Sequence, residues 1–104
     1  MMETINNRGG TFSMSQTFIV IARFKAGTDM REVFAVVKEE QDQVAVLTAE
    51  GRLGSIHLSL ERQTVFLEAF ADSIEGATEV IQSLPMSKWW DLDVYPTSLP
   101  ASRQ

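Results

Sequence analysis

Four segments of the chain have the residue types and alternation of β-strands. Residues 17–25 (TFIVIARFK) are rich in β-branched and aromatic side chains, which favour strands. Residues 53–60 alternate apolar and small polar side chains, and residues 63–71 follow after Glu61-Arg62, a plausible hairpin turn. Residues 89–95 (WWDLDVY) complete the set. The pattern therefore predicts four strands.

A helical repeat lies between the first two strands. Its apolar residues recur at spacings of 4, 7 and 3, as one face of a helix requires: Val33, Val37, Val44 and Leu47. Asp29 is the predicted N-cap, with Glu32 as its capping-box partner. Gly51 is expected to end the helix in a left-handed conformation.

A second helix is predicted between the last two strands. Asp72 or Ser73 caps it, and Pro85 ends it. Its predicted apolar stripe is Ile74, Ala77, Ile81 and Leu84.

The order of these elements is β-α-β-β-α-β. Two right-handed split crossovers would interleave the strands into a four-stranded antiparallel sheet of order 4-1-3-2, with both helices on one face. The fold expected is α+β and ferredoxin-like, over residues 17–96. Residues 1–16 are expected to be a disordered leader, with Met14 as an alternative start, and residues 97–104 an irregular tail.

Alternation along the strands gives the predicted sheet two different faces. The face expected beneath the helices is almost wholly apolar: Phe18, Val20, Ala22, Phe24, Ile56, Leu58, Leu60, Val65, Leu67, Ala69, Trp90, Leu92 and Val94. The opposite face is mixed, and its large apolar members are Ile19, Ile21, Phe66, Phe70, Trp89 and Tyr95. A patch of that size usually marks an interaction site, and two-fold pairing is the commonest arrangement. We therefore expect a homodimer in which two sheets close an α+β barrel.

Composition narrows the classes of function. The chain has 9 Lys and Arg against 14 Asp and Glu, a net charge of −5, which disfavours nucleic acid and anionic membranes as partners. It has no Cys and one His, so a metal centre is not expected. No secretory signal pattern is found, which favours a cytoplasmic protein.

The C-terminal third carries a more distinctive pattern. Ser83-Leu84-Pro85-Met86 is followed by an aromatic residue and then by Asp91-Leu92-Asp93-Val94-Tyr95-Pro96. This ending, with the passage over residues 38–53 and its Gly51-Arg52 step, resembles the muconolactone delta-isomerase family across residues 18–96. The resemblance implies a ferredoxin-like protomer, dimeric barrels that sometimes form larger rings, and no metal or organic cofactor. It also implies proton transfer between two carbons of an unsaturated lactone.

Two positions depart from that family. Its second strand carries a His and an Arg where this chain has Ser55 and Leu58. Glu40 is the residue that matches a family glutamate.

Glu40 is also the leading catalytic candidate on its own chemistry. It lies three residues after Val37 and four before Val44, on the apolar stripe of the first helix. A carboxylate that faces the sheet would be desolvated, which raises its pKa toward the range of a proton-transfer catalyst. The alternative is that Glu40 lies at the edge of the stripe and reaches water.

The remaining candidate residues are distributed over all four predicted strands. His57 could act as an acid or base or only form an interface hydrogen bond. Arg23 and Glu68, on neighbouring strands, could join His57 in a polar cluster that binds substrate, or form a structural ion pair. Trp89 and Trp90, facing opposite ways on one strand, could shape a substrate pocket, although core packing also explains such rings.

Three functions fit these residues. The first is a cofactor-free isomerase-like enzyme that moves a proton on an unsaturated lactone or keto compound, with Glu40 as acid and base; it predicts a pocket that touches Glu40. The second is a non-catalytic small-ligand or assembly module, which predicts a fully packed helix–sheet layer. The third is a cofactor-independent monooxygenase.

Overall fold

The computed structural model describes residues 15–98. Within that range four strands and three α-helices follow one another, with a short 3-10 helix before the last strand. Their bounds are β1 Gln16–Phe24, α1 Met30–Ala35, α2 Val37–Ala49, β2 Leu53–Ser59, β3 Thr64–Ala71, α3 Ile74–Gln82, the 3-10 helix Pro85–Trp89, and β4 Trp90–Pro96. The predicted leader and tail, and Met14, lie outside the described residues except for positions 15, 16, 97 and 98.

The strands form one antiparallel sheet of order β2-β3-β1-β4, which is the predicted order in reverse. Val20, at the centre of β1, lies opposite Leu67 of β3 and Val94 of β4. The two central strands, β1 and β3, are not consecutive, as a split βαβ unit requires. The prediction of a ferredoxin-like α+β fold is therefore confirmed.

The main core lies between one face of this sheet and the helices. Its largest fully buried side chains include Phe18 and Val20 of β1, Leu67 of β3 and Ile81 of α3. The three strand residues among them belong to the face that alternation assigns to the helices. No helix within residues 15–98 has the length and apolar character needed to cross a membrane.

The first predicted helix is divided in two. Val36 has φ −109° and ψ 16°, outside the helical range, so α1 ends before α2 begins. Asp29 caps α1 as predicted. Its carboxylate accepts hydrogen bonds from the backbone N–H and the guanidinium of Arg31, whereas the sequence predicted Glu32 as its capping-box partner. Gly51, with φ 74°, ends α2 as predicted: its N–H donates to Thr48 and the N–H of Arg52 donates to Leu47, the Schellman arrangement.

Other boundaries shift by one or two residues. Gln63, predicted to open β3, lies in the hairpin loop with φ 49°. Ser73, one of the two predicted caps of α3, accepts the N–H of Gly76 at 3.0 Å. Trp89 belongs to the 3-10 helix and not to β4, so the prediction that the last strand begins at Trp89 was wrong, and the two tryptophans do not share a strand.

A β-bulge in β2 gives Glu68 a structural role. The pairing of β2 with β3 shifts between Leu53 and Ile56, and Ser55 within the bulge donates its N–H (3.1 Å) and its hydroxyl (3.3 Å) to Glu68 Oε1. These bonds satisfy a backbone donor that the shifted ladder leaves out. A side chain at Gly54 would overlap Glu68 Oε1.

Gly54→Ala is therefore expected to destabilise the protein. The added methyl group forces the Glu68 carboxylate off Ser55 and costs about 1 kcal/mol of unfolding free energy, the usual worth of such a bond. Urea unfolding measures this change, and Glu68→Ala provides the matched background. In the Glu68→Ala background, Gly54→Ala should lower the unfolding free energy by less than it does in the wild type. An equal loss in both backgrounds would contradict the role given to Glu68.

Candidate active site

An apolar cleft of about 580 Å³ opens between the helices and the sheet. Of its 16 described lining residues, 13 are apolar and the other three are Glu40, Gln41 and Gln63. The volume lies within the usual range for small-molecule sites. The helix–sheet layer is therefore not fully packed at this end of the fold.

The cleft exists because the helices leave the inner face of β2 partly uncovered. Ile56 and Leu58 point to the helix side of the sheet, yet they are 39% and 57% exposed. On the helix side, the lining includes Val37 and Phe34, and Phe34 is 65% exposed. Apolar surface thus remains open on both walls.

Glu40 lies on the wall of this cleft, in the first turn of α2. Its Oε1 accepts a hydrogen bond of 2.9 Å from the backbone N–H of Met86. Half-burial raises the pKa of the Glu40 carboxyl, and the bond from Met86 opposes that rise only in part. Glu40 is thus half-buried, with one carboxylate oxygen bound to the backbone of the 3-10 helix.

The 3-10 helix is what brings Met86 to Glu40. Pro85 occupies its first turn, where a residue without an N–H is tolerated, and Leu84 before it is buried at 1% exposure. A second contact, from Gln43 Nε2 to Ser83 Oγ at 3.0 Å, ties α2 to the same segment. The free N–H of Met86 is thus held against α2.

Trp90 also lines the cleft. It is 5% exposed, and its ring meets that of Phe24 edge to face, with centroids 6.1 Å apart. Its indole Nε1 is buried and finds no hydrogen-bond partner within the described residues. An unsatisfied buried donor is unusual in a folded protein, so Trp90 combines core packing with an unused polar group.

Trp89 takes a different position. It is half-buried in the 3-10 helix, and the ammonium of Lys88 lies 4.6 Å from its ring centroid. The described lining of the cleft does not include Trp89. The two tryptophans therefore do not shape one pocket together.

The polar residues of the outer sheet face do not form the predicted cluster. Arg23 pairs with Asp93 of β4 at 2.8 Å, and both side chains are exposed. Glu68 is held by Ser55. Arg23 lies opposite Thr64, whereas Glu68 lies opposite Ile19, so they are four residues apart along the sheet, roughly 13 Å at 3.3 Å per residue.

His57 is separated from Glu40 by the sheet itself. It lies opposite Phe66 on the outer face and is exposed, while Glu40 faces the inner cleft. Ser55 also lies on the outer face, whereas Leu58 lines the cleft. The structure thus places Glu40, Trp90 and Leu58 at one site, and Arg23, Glu68 and His57 on the opposite side.

Sequence reasoning missed three polar contributors to the site. Gln41 and Gln63 line the cleft, and Met86 contributes its backbone N–H. The Leu84-Pro85 pair carried a signal for Met86, because a proline at the start of a short helical turn leaves the following N–H groups free to bind a side chain. Nothing in the local pattern marks the two glutamines.

Comparison with known proteins gives no match, either to a protein-family model or to a curated protein sequence. What the structure itself establishes is an α+β fold with a four-stranded antiparallel sheet.

Proposed function

We propose that this protein is a cofactor-free isomerase-like enzyme, related to the muconolactone delta-isomerases, that moves a proton on an unsaturated lactone or keto compound. One observation carries the proposal: Glu40 lies on the wall of an apolar cleft large enough for such a compound. The alternative, a non-catalytic module, predicts that side chains fill the layer between the helices and the sheet. Around Glu40 that layer instead contains the cleft.

The chemistry required is a proton transfer without change of oxidation state. A Glu40 carboxylate oxygen takes a proton from a carbon next to the carbonyl, and the electron pair left behind delocalises into a dienolate. The protonated carboxyl then returns the proton to another carbon of the conjugated system, and the carbonyl is restored. One group acts as base and then as acid, so Glu40 must change protonation state easily near the working pH.

The surroundings of Glu40 suit that role. Apolar walls limit the water around the carboxylate, which raises its pKa and makes it a stronger base toward carbon than an exposed glutamate. The Met86 N–H fixes Oε1, and Oε2 accepts no hydrogen bond from the described residues. One oxygen is thus positioned while the other is available to the substrate.

The two parts of the family resemblance meet at this point. Glu40 matches a family glutamate, and the Leu84-Pro85-Met86 segment begins the matching C-terminal pattern. In the structure they are joined by the hydrogen bond from Met86. This contact supports reading the pattern as part of a site.

Deuterium exchange tests the proposal directly. α-Tetralone, a ketone with acidic C–H bonds next to its carbonyl, is incubated with the protein in D2O, and loss of the α-proton signal is followed by NMR. We expect exchange faster than in buffer alone, with a rate that rises with pH as Glu40 loses its proton. Because burial raises the pKa of Glu40, the midpoint of that rise is expected above the ordinary value for glutamate. Binding of the ketone without faster exchange would instead indicate the non-catalytic alternative.

We also propose that two protomers pair through the outer face of the sheet. Phe66 and Tyr95 are 39% and 51% exposed there, and Ile19, Ile21 and Phe70 between them are only partly covered. A second sheet over this surface would bury these side chains and would leave the cleft on the far side of each sheet open.

Phe66→Glu is therefore expected to convert a dimer into monomers. The wild-type chain of 11.6 kDa should sediment at twice that mass at micromolar concentration, and the variant at the monomer mass, because two carboxylates would be buried at the interface. Val46→Glu is the matched control, since Val46 is 47% exposed on α2, away from the outer face. A monomeric wild-type protein would contradict the pairing.

A further inference from the structure

The cleft stays apolar from its buried part to its exposed edge. Its most buried lining residues include Val65 and Leu67, and three large apolar side chains of the lining are more than half exposed: Phe34, Leu58 and Leu60. Single exposed apolar side chains are common on folded proteins, but three around one concave space form a patch of the kind that binds a ligand. A compound that reached from the buried part to the edge would remove all three from water.

Leu60 extends this apolar wall beyond the end of β2. It is 78% exposed and lies in the hairpin loop between β2 and β3, where small or polar side chains are usual. Backbone hydrogen bonds hold the loop in place: the C=O of Leu60 accepts the N–H of Gln63 at 3.3 Å, and the C=O of Gln63 accepts the N–H of Phe24 at 3.2 Å. The loop that carries Leu60 is thus anchored to β1.

The charge of the cleft restricts its ligand further. Glu40 is the one charged side chain among the described residues that line it, and no Lys, Arg or His joins that lining. A ligand carboxylate buried there would lose its hydration and gain no cation in exchange. The lining therefore suits an uncharged compound.

We propose that the cleft binds an uncharged compound of two or more fused rings, and that Leu58 and Leu60 determine this specificity by packing on the part of the compound at the edge of the cleft. This inference rests on the proposed function, since it names the class of compound on which Glu40 acts. The cleft volume of about 580 Å³ lies in the range of sites for drug-sized ligands. Each ring beyond the first removes more of the apolar lining from water, which strengthens binding.

The first test is a series of ketones that differ in ring number. Cyclohexenone, α-tetralone and a tetrahydrophenanthrenone have one, two and three rings, and calorimetric titration of the intact chain measures their affinities. We expect Kd to fall by about tenfold with each added ring, because each ring buries further apolar surface. If cyclohexenone binds as tightly as the three-ring ketone, the inference is wrong.

Substitution at the edge of the cleft is the second test. Leu60→Ser should weaken binding of the three-ring ketone by about fivefold and that of cyclohexenone by less than about twofold. Leu60 is exposed, so the variant should remain folded. Val46→Ser is the matched control, since Val46 is an exposed apolar residue of α2 outside the described lining, and its affinities should equal those of the wild type. Unchanged binding of the three-ring ketone by both Leu60→Ser and Leu58→Ser would overturn the role of the edge, and a changed sedimentation mass with unchanged affinity would assign the patch to a protein contact instead.

The third test compares charge. A carboxylated α-tetralone should bind the wild-type protein at least about tenfold more weakly than α-tetralone, since its carboxylate has no cation to pair with in the cleft. Leu58→Arg should narrow that difference, because an arginine at the exposed edge supplies the cation while its guanidinium stays partly hydrated. Equal or tighter binding of the carboxylated compound to the wild type would refute the preference for an uncharged ligand.

These binding measurements do not depend on turnover. If affinity rises with ring number and depends on Leu60 but no deuterium exchange occurs, the ligand class stands and the isomerase proposal fails. If exchange occurs and depends on Glu40 while affinity is the same for one, two and three rings, the proposed function stands and the ligand class fails.

Discussion

Glu40→Gln should slow the exchange of α-tetralone protons by about 100- to 10,000-fold, the usual contribution of a general base. Glutamine has nearly the same shape and keeps a carbonyl oxygen that can accept the N–H of Met86, the bond seen at 2.9 Å in the native chain. It cannot accept a proton from carbon. The loss should therefore appear in the rate, while the affinity for the ketone changes little.

Glu39→Gln is the matched control for this variant. Glu39 is the preceding residue of the same helix and is exposed, so its substitution makes the same change in net charge outside the cleft. We expect its exchange rate to equal that of the wild type at every pH. Circular dichroism and sedimentation should show both variants folded, with the same association state as the wild type. Full exchange activity in Glu40→Gln would remove the proposed mechanism.

The raised pKa of Glu40 also predicts how the stability of Glu40→Gln, relative to the wild type, changes with pH. Burial raises the pKa of Glu40, so between its unfolded and folded pKa values the native state binds the proton more tightly. Ionised Glu40 thus reduces stability, and it does so more as pH rises through that interval. A neutral glutamine side chain avoids the penalty, so the variant should gain stability relative to the wild type on going from acidic to neutral pH.

The strand order and several helix ends could be predicted from sequence because local chemistry determines them. Alternating side chains in four short segments leave few ways to bury one face, and split crossovers then fix the order of the strands. Gly51 and Ser73 act through their own backbone and hydroxyl groups. Such signals lie within a few residues of the feature they determine.

The candidate site was predictable only in part. The position of Glu40 on the apolar stripe predicts that its side chain faces the sheet. It does not predict whether the space between the helix and the sheet is filled by other side chains. That depends on how far α1 and α2 cover β2, and on the 3-10 helix that carries Met86. Each involves elements far apart in the chain.

The predicted cluster of Arg23 and Glu68 failed for a related reason. Alternation correctly placed both on the outer face, and β1 and β3 are neighbours as expected. Position along the strands depends on pairing register, which puts Glu68 opposite Ile19 and far from Arg23. The nearest carboxylate to Arg23 comes from the other neighbour, as Asp93 of β4. The face of a strand is a local property, but its register is not.

Two isoleucines of α3 are predicted from sequence to be equivalent, but they differ in burial in the structure. Ile74 and Ile81 belong to the same predicted apolar stripe, yet Ile81 is fully buried and Ile74 is 46% exposed. The buried residues of α3 are Ala77, Val80 and Ile81. With 100° of rotation per residue, Ile74 lies roughly 70° from the centre of the face they form, and it is also the first residue of the helix.

Ile81→Ala should therefore lower the unfolding free energy by about 2–5 kcal/mol, because it removes methyl groups from the core cluster and leaves a cavity there. Ile74→Ala is the matched control, with the same atoms removed from the same helix, and should cost less than about 1 kcal/mol. Guanidinium unfolding at one protomer concentration measures both, so that any association affects the two variants equally. The sequence stripe alone predicts similar losses for the two substitutions. Similar losses would mean that α3 packs on the sheet in a different rotation, which would also move the 3-10 helix and its Met86 N–H away from Glu40.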